Sequence, residues 1–200
     1  MNARPALVAR NDAPASNDAL ESLAHIEARV WEELALCAQD RSHEWRVCTL
    51  ATLDANGEAD ARSVVIREVD LDRRELVFFT DARSPKVAQF AANPKGTLVM
   101  WSADLGWQLR LKVSLRVETA GLAVSSRWAR LKMKPAAYDY LSPLPPGTPL
   151  EHPVPERGSR GHFAVVSLQV LSIDWLGLRA EGQRRAEFAR DDPAEAGPPV

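Results

Sequence analysis

The sequence predicts a mainly β protein: a closed or nearly closed antiparallel barrel with a few helices outside it. About six or seven short strand-like runs follow one another across turn-forming residues, the pattern of a sheet that curls on itself. One run, Trp107 to Glu118, alternates without a break. Trp107, Leu109, Leu111, Val113, Leu115 and Val117 share one side, and Gln108, Arg110, Lys112, Ser114, Arg116 and Glu118 the other. That period of two is what a strand with one buried face requires.

From Asp18 onward, Leu20, Leu23, Ile26, Val30, Trp31 and Leu34 recur at helical spacing, with Ser16, Asn17 or Asp18 as the cap. Trp45 to Leu53 is a β-type run, Asp54-Ala55-Asn56-Gly57 supplies a turn, and a second run extends from Ala59 to about Val69, which together predict a hairpin. A polar turn over Asp70 to Arg74 leads into Glu75 to Thr80, whose Leu76-Val77-Phe78-Phe79 reads as a continuous apolar strand. Ser84-Pro85-Lys86 opens a short helix, because Ser caps well and Pro at the first helical position gives up an N–H that has no partner there. Asn93-Pro94-Lys95-Gly96 ends it. Thr97 to Trp101 precedes the long alternating strand, a helix follows over Val124 to Lys134, and Pro135 to Gly161 is a Pro-rich excursion. His162 to Trp175 and Gln183 to Phe188 return to β structure around a turn at Glu181-Gly182.

Two hundred residues suit one domain, placed at 16–190, with flexible tails over 1–15 and 191–200 where hydrophobic period is lost. A formal net charge of −2 provides no broad field for polyanions, so general binding of nucleic acid or of an anionic membrane has little support. Cys37 and Cys48 form no CxxC, and His25, His43, His152 and His162 show no ligand spacing, so neither a disulfide scaffold nor a metal site is expected. The N-terminus lacks the apolar core of about 7 to 15 residues that export requires, which suggests a cytoplasmic protein.

Chemistry concentrates in three places. Arg62 and Arg67 lie on one strand, with Ser84 and Lys86 at a helix start. A phosphate monoester is held by such fixed cations and by the free N–H groups and positive dipole end of a helix N-terminus. On periodicity alone such arginines more often make a solvated face. Gln108, on the polar side of the long strand, can donate and accept as the imide edge of a flavin demands, although most strand glutamines simply face water. Trp175 with Arg185 offers an aromatic plane and a guanidinium for a planar anion, while Trp is more often core.

Taken together, these residues resemble the pyridoxamine 5'-phosphate oxidase family and its flavin mononucleotide (FMN)-binding split-barrel relatives over roughly Trp45 to Phe188. The run Arg62-Ser63-Val64-Val65-Ile66-Arg67 resembles the family strand that holds flavin and phosphate through backbone and side chains. Phe79-Thr80-Asp81 resembles its aromatic-Thr-Asn/Asp step, and Ser84-Pro85-Lys86 its Ser-Arg-Lys phosphate loop. Gln108, Trp175 and Arg185 fall at flavin-contacting positions. The resemblance implies an antiparallel split β-barrel, FMN as cofactor, and a symmetric homodimer with flavin at the subunit interface. It also implies oxidoreductase chemistry on a small molecule, with Arg67 touching flavin and substrate. Pro85 replaces a family Arg, leaving Arg83 as the candidate substitute. Val113 replaces a usual Gly, and Glu181 and Gln183 stand where the oxidase has an Arg and a His for its pyridoxyl substrate. Alternatives are a flavin carrier or sensor without turnover, a relative binding deazaflavin or haem, and single-stranded nucleic-acid binding through Arg110, Lys112 and Arg116.

Overall fold

A computed structural model describes residues 22–149, 160–179 and 182–189. The expected cap at Ser16 to Asp18, both tails and the Glu181 side of the last turn lie outside the described residues. Helix α1 spans Leu23–Gln39 with Ser22 as its N-cap, the hydroxyl accepting from His25 N–H at 3.2 Å. Its last turn is closed by Arg46, whose guanidinium donates to the carbonyls of Cys37 (3.0 Å) and Ala38 (2.8 Å), acceptors that a helix end otherwise leaves unpaired. Ile26, Val30, Trp31, Leu34 and Cys37 form the buried stripe of α1.

Among the described residues eight strands follow: β1 (Val47–Leu53), β2 (Ala59–Val65), β3 (Glu68–Asp70), β4 (Glu75–Asp81), β5 (Lys95–Ser102), β6 (Trp107–Glu118), β7 (Phe163–Arg179) and β8 (Gly182–Ala189). Helix α2 (Pro85–Ala92) lies between β4 and β5, and α3 (Leu122–Leu131) follows β6. All pairings are antiparallel, in the order β2-β1-β5-β6-β7-β4-β3, with β8 also on β7. The hairpin turn between β1 and β2 uses Gly57 at φ 80°, a left-handed conformation that Gly adopts without steric cost.

The single run expected over 59–69 is two strands. At Ile66 and Arg67 successive N–H groups face different partners: Ile66 donates to Arg46 O (2.9 Å) and Arg67 to Val77 O (2.8 Å). The chain thereby leaves β1 and joins β4, so the two ends of the sheet are consecutive parts of one segment and the barrel is split there instead of closed by a further pairing. Strand β7 runs on to Arg179, four residues beyond the sequence expectation, and a bulge at Leu171 shifts its register against Lys112 and Val113. Val113 is buried beside that bulge.

The main core fills the space between α1 and the inner sheet face, with Trp45, Trp107 and Trp175 in a column (ring centroids 6.4 and 5.4 Å apart). A second core lies on the other side of β4 and β7, where Val77, Trp128, Leu131, Ala137, Tyr140 and Phe163 cluster under α3. Two cores explain why β4 is apolar on both faces. The Pro-rich excursion begins with structure of its own, a 3-10 turn over Pro135–Tyr140 that seats Ala137 and Tyr140 in the second core. No helix among the described residues is long and apolar enough to cross a membrane.

Candidate functional site

Arg62 sits opposite Leu50 in the β1–β2 register and so points to the inner side of the sheet. Its guanidinium is braced on four acceptors: Thr52 Oγ1 (2.6 Å), Leu50 O (3.3 Å), Asp60 Oδ2 (2.7 Å) and Gln89 Oε1 (2.5 Å). Gln89 belongs to α2, and its amide donates to the same Asp60 carboxylate at 2.7 Å. Strand and helix are thus locked around one cation.

Lys86 opens α2 beside it. Its ammonium donates to Thr80 Oγ1 (3.2 Å) and Ser84 Oγ (2.8 Å), both neutral, and no carboxylate among the described residues lies within ion-pair distance. Ser84 does not cap α2 with its hydroxyl, which faces Lys86 instead. Burial pushes the Lys86 ammonium below its usual range, and the neighbouring Arg62 charge pushes the same way, against partial relief from Asp81 and Asp60. A half-buried cation with a proton to spare, next to a second cation and at the N-terminal end of a helix, calls for an anion.

Of the remaining residues of that strand, Val64 and Ile66 are core side chains, Ser63 is exposed on the outer side, and Val65 is half-buried. Arg67 extends toward the second core, where Nη2 donates to the Tyr140 hydroxyl at 3.4 Å while Nε is buried without a partner. Phe79 packs edge-on against Phe163 (5.1 Å) and Tyr140 (6.4 Å). Arg83 does not stand in for the cation that Pro85 removes. Its guanidinium is engaged by the Asp81 carboxylate and by the carbonyls of Ser142, Pro143 and Leu144.

Gln108 and Arg185 come together on the outer side of the sheet, around an open cleft of about 350 Å³ that Arg110, Asp174 and Arg184 also line. Asp174 binds the guanidiniums of both Arg110 and Arg185, with Arg185 Nε at 2.8 Å from Oδ1. Hydrogen bonds from Arg185 and then Arg110 hold its carboxyl down to about 2. Trp175 is not part of this cleft. It pairs with Leu109 and Ala186 in register, faces inward and is fully buried, because alternation puts it one position out of phase with Asp174 and Leu176. Gly177 makes the room: a Cβ there would lie 2.5 Å from the Trp175 ring. The outward cations Lys112 and Arg116 contact Thr97 and the carboxylates of Glu75 and Glu118. Among the described residues no three His, Cys, Asp or Glu side chains gather as metal ligands.

Asp60 and Gln89 escaped the sequence reading, yet both lie at findable spacings: Asp60 two residues before Arg62 on the same strand side, Gln89 one helical turn after Lys86. Tyr140, 73 residues from Arg67, carries no such signal.

Residues 28–119, which hold the Arg62–Lys86 cluster, match the family model described as pyridoxamine 5'-phosphate oxidase, FMN-binding domain. Over that stretch the chain is similar to this family. Its curated relatives include a pyridoxine/pyridoxamine 5'-phosphate oxidase of Trichormus variabilis, 38% identical over 107 residues, 50% of this chain and 47% of that protein. Another of the same name from Caulobacter vibrioides is 33% identical over 148 residues, 72% of this chain and 64% of its own length. The matched stretches therefore span about half to two thirds of these relatives. Among solved structures, a pyridoxamine 5'-phosphate oxidase-related, FMN-binding protein of Nostoc punctiforme superposes with a TM-score of 0.66 at 26% identity, covering 86% of this chain and 94% of that one. The family's split-barrel fold is the fold described above.

Proposed function

We propose that this chain binds FMN and uses it as an oxidoreductase on a small molecule. The observation that carries the reading is Lys86, half-buried and beside Arg62, with two hydroxyls and, among the described residues, no carboxylate within ion-pair distance. Arg62, Thr80, Ser84 and Lys86 would hold the phosphate: two cations for charge, two hydroxyls for direction. Arg62 arrives preorganised, since Asp60, Thr52 and Gln89 fix its fork before any ligand is present. The buried, unpartnered Nε of Arg67 is a second open donor that a ligand oxygen would satisfy. When bound, the isoalloxazine supplies hydride or electron transfer, and the protein needs to contribute only position and electrostatics.

Gln108 and Arg185 belong to the same proposal only through a second copy of the chain. Gln108 pairs with exposed Trp101 on the outer side of the sheet, whereas Arg62 pairs with fully buried Leu50 on the inner side. One protomer's two sets thus face different ways, and a homodimer in which each subunit offers its outer face to the other's phosphate site would unite them. Two free, buried thiols suit a reducing cytoplasm.

Visible absorbance of the freshly purified protein and mass spectrometry of the small molecule released on heating test the proposal. A flavin spectrum with FMN in the released fraction is expected. Colourless protein that also fails to bind added FMN would refute it, and bound FMN that no donor and acceptor can cycle would leave a carrier or sensor instead of an enzyme.

A further inference from the structure

The end of β4 and the turn after it, residues 79–84, send side chains to two sides, and what they hold on each side is different. On one side the Thr80 and Ser84 hydroxyls receive the Lys86 ammonium. On the other, Phe79, Asp81 and Arg83 hold the segment 135–144. Tyr140, buried in the second core, packs edge-on to Phe79 and Phe163, and its hydroxyl accepts from Arg67. Arg83 makes a fork with Asp81 (Nε to Oδ1 3.0 Å, Nη2 to Oδ2 2.6 Å) and donates to three successive carbonyls, Ser142 (2.9 Å), Pro143 (3.1 Å) and Leu144 (3.2 Å).

A segment rich in proline has few N–H groups and cannot build a ladder of its own, so its carbonyls need donors from elsewhere. One side chain supplies three of them. Asp81 is nearly buried, and although burial alone would raise its carboxyl, the Arg83 side chain and N–H outweigh that and keep it below the ordinary range. A continuous path of hydrogen bonds then joins the two sides: Leu144 O to Arg83, Arg83 to Asp81, Asp81 O to Ser84 N–H at 3.0 Å, and Ser84 Oγ to Lys86. Tyr140 makes a second link at Arg67.

We infer that residues 135–144 form a docking strap whose seating is thermodynamically linked to occupancy of the Arg62–Lys86 anion site, with Arg83 and Tyr140 as positioning residues. The linkage rests on the FMN reading for the identity of the ligand, but only on the anion site for its physics. Ordering residues 80–86 around an anion fixes the turn that holds Arg83, and by reciprocity a seated strap improves the site for the anion.

Hydrogen exchange of the full-length wild-type protein, followed by mass spectrometry over 136–144, is measured alone, with saturating FMN and with inorganic phosphate. FMN dissociation constants are measured by fluorescence for wild type, Arg83→Ala and Tyr140→Phe, together with the melting temperature of each. Either anion should slow exchange across the strap. Arg83→Ala should leave the strap exchanging fast in every condition and weaken FMN by about 5- to 150-fold, the usual size of a coupling between sites. Tyr140→Phe, which removes only the hydroxyl, should weaken FMN in the same direction with little change in melting. Protection by phosphate without any FMN binding would keep the linkage and sink the flavin reading. FMN binding with unchanged strap exchange would overturn the linkage and keep the flavin reading. So would an Arg83→Ala protein whose strap is released while its affinity stays within about twofold of wild type.

Discussion

Replacing Lys86 with Met removes the charge and keeps the length of the side chain, and the structure separates its effect on binding from its effect on folding. The ammonium donates to two hydroxyls, which leaves one proton for a ligand oxygen. Losing one charge-assisted hydrogen bond costs about 1.5 to 3 kcal/mol, or about 10- to 150-fold in FMN affinity. Stability should move little or rise, because the substitution also relieves the burial of a cation that Asp81 and Asp60 offset only in part, and both hydroxyls can rotate toward other partners. Arg62→Ala is a poorer probe, since it strips Thr52, Asp60 and Gln89 of their shared donor and must destabilise the fold as well. The assay is quenching of FMN fluorescence on titration with apoprotein, alongside thermal melting. Arg116→Ala on the outer face serves for comparison, Arg116 being held by carboxylates of its own chain. An FMN affinity for Lys86→Met within about twofold of wild type, or equal losses at Lys86 and Arg116, would remove the phosphate site from this cluster.

The remaining expectations concern pH, packing and the thiols. FMN affinity should fall as pH rises through the lowered Lys86 titration, on the acid side of the ordinary lysine range, and Lys86→Arg should stay flat over the same interval. The apoprotein should show the opposite sign: the folded ammonium binds its proton less well than the unfolded one, so stability rises with pH between the lowered and the ordinary value. Gly177→Ala should cost about 1 to 3 kcal/mol in a denaturant melt, because the new methyl meets the fully buried Trp175 ring. Burial drives the thiols of Cys37 and Cys48 up to about 12, so neither should react with a disulfide reagent near pH 8 until the protein unfolds. Asp174→Asn should destabilise by about 1 kcal/mol near neutral pH, the exposed guanidiniums limiting the loss; wild type should lose the same increment as pH falls from the ordinary aspartate range through about 2.

Strand identity was legible wherever alternation or a double-sided apolar run left one reading, as in β6 and β4, and the start of α2 was legible in Ser84-Pro85. The break in the run at Ile66 went unread although the phase slips there: Val64 and Ile66 face the main core, and Val69, three residues on, packs against it again opposite Leu76. Arg62, Thr80, Ser84 and Lys86 could be named because each type has a part in holding a phosphate, but the bracing by Asp60 and Gln89 depends on where α2 lies against β2. Trp175 illustrates the opposite case: its spacing to Arg185 suited a ligand, whereas the β7–β8 register sets Arg185 opposite Leu176 and Trp175 opposite Ala186, on opposite sides. Arg83 looked like a spare cation in sequence and proves to be committed to a segment about sixty residues away.

Because residues 59–70 serve first as the margin of one half of the sheet and then as the margin of the other, neither half is complete without that shared piece of chain. Pulling it from β1 also loosens it from β4. Melting should therefore be concerted, with the strands on both sides of the split losing protection together and no half-barrel surviving as a populated species.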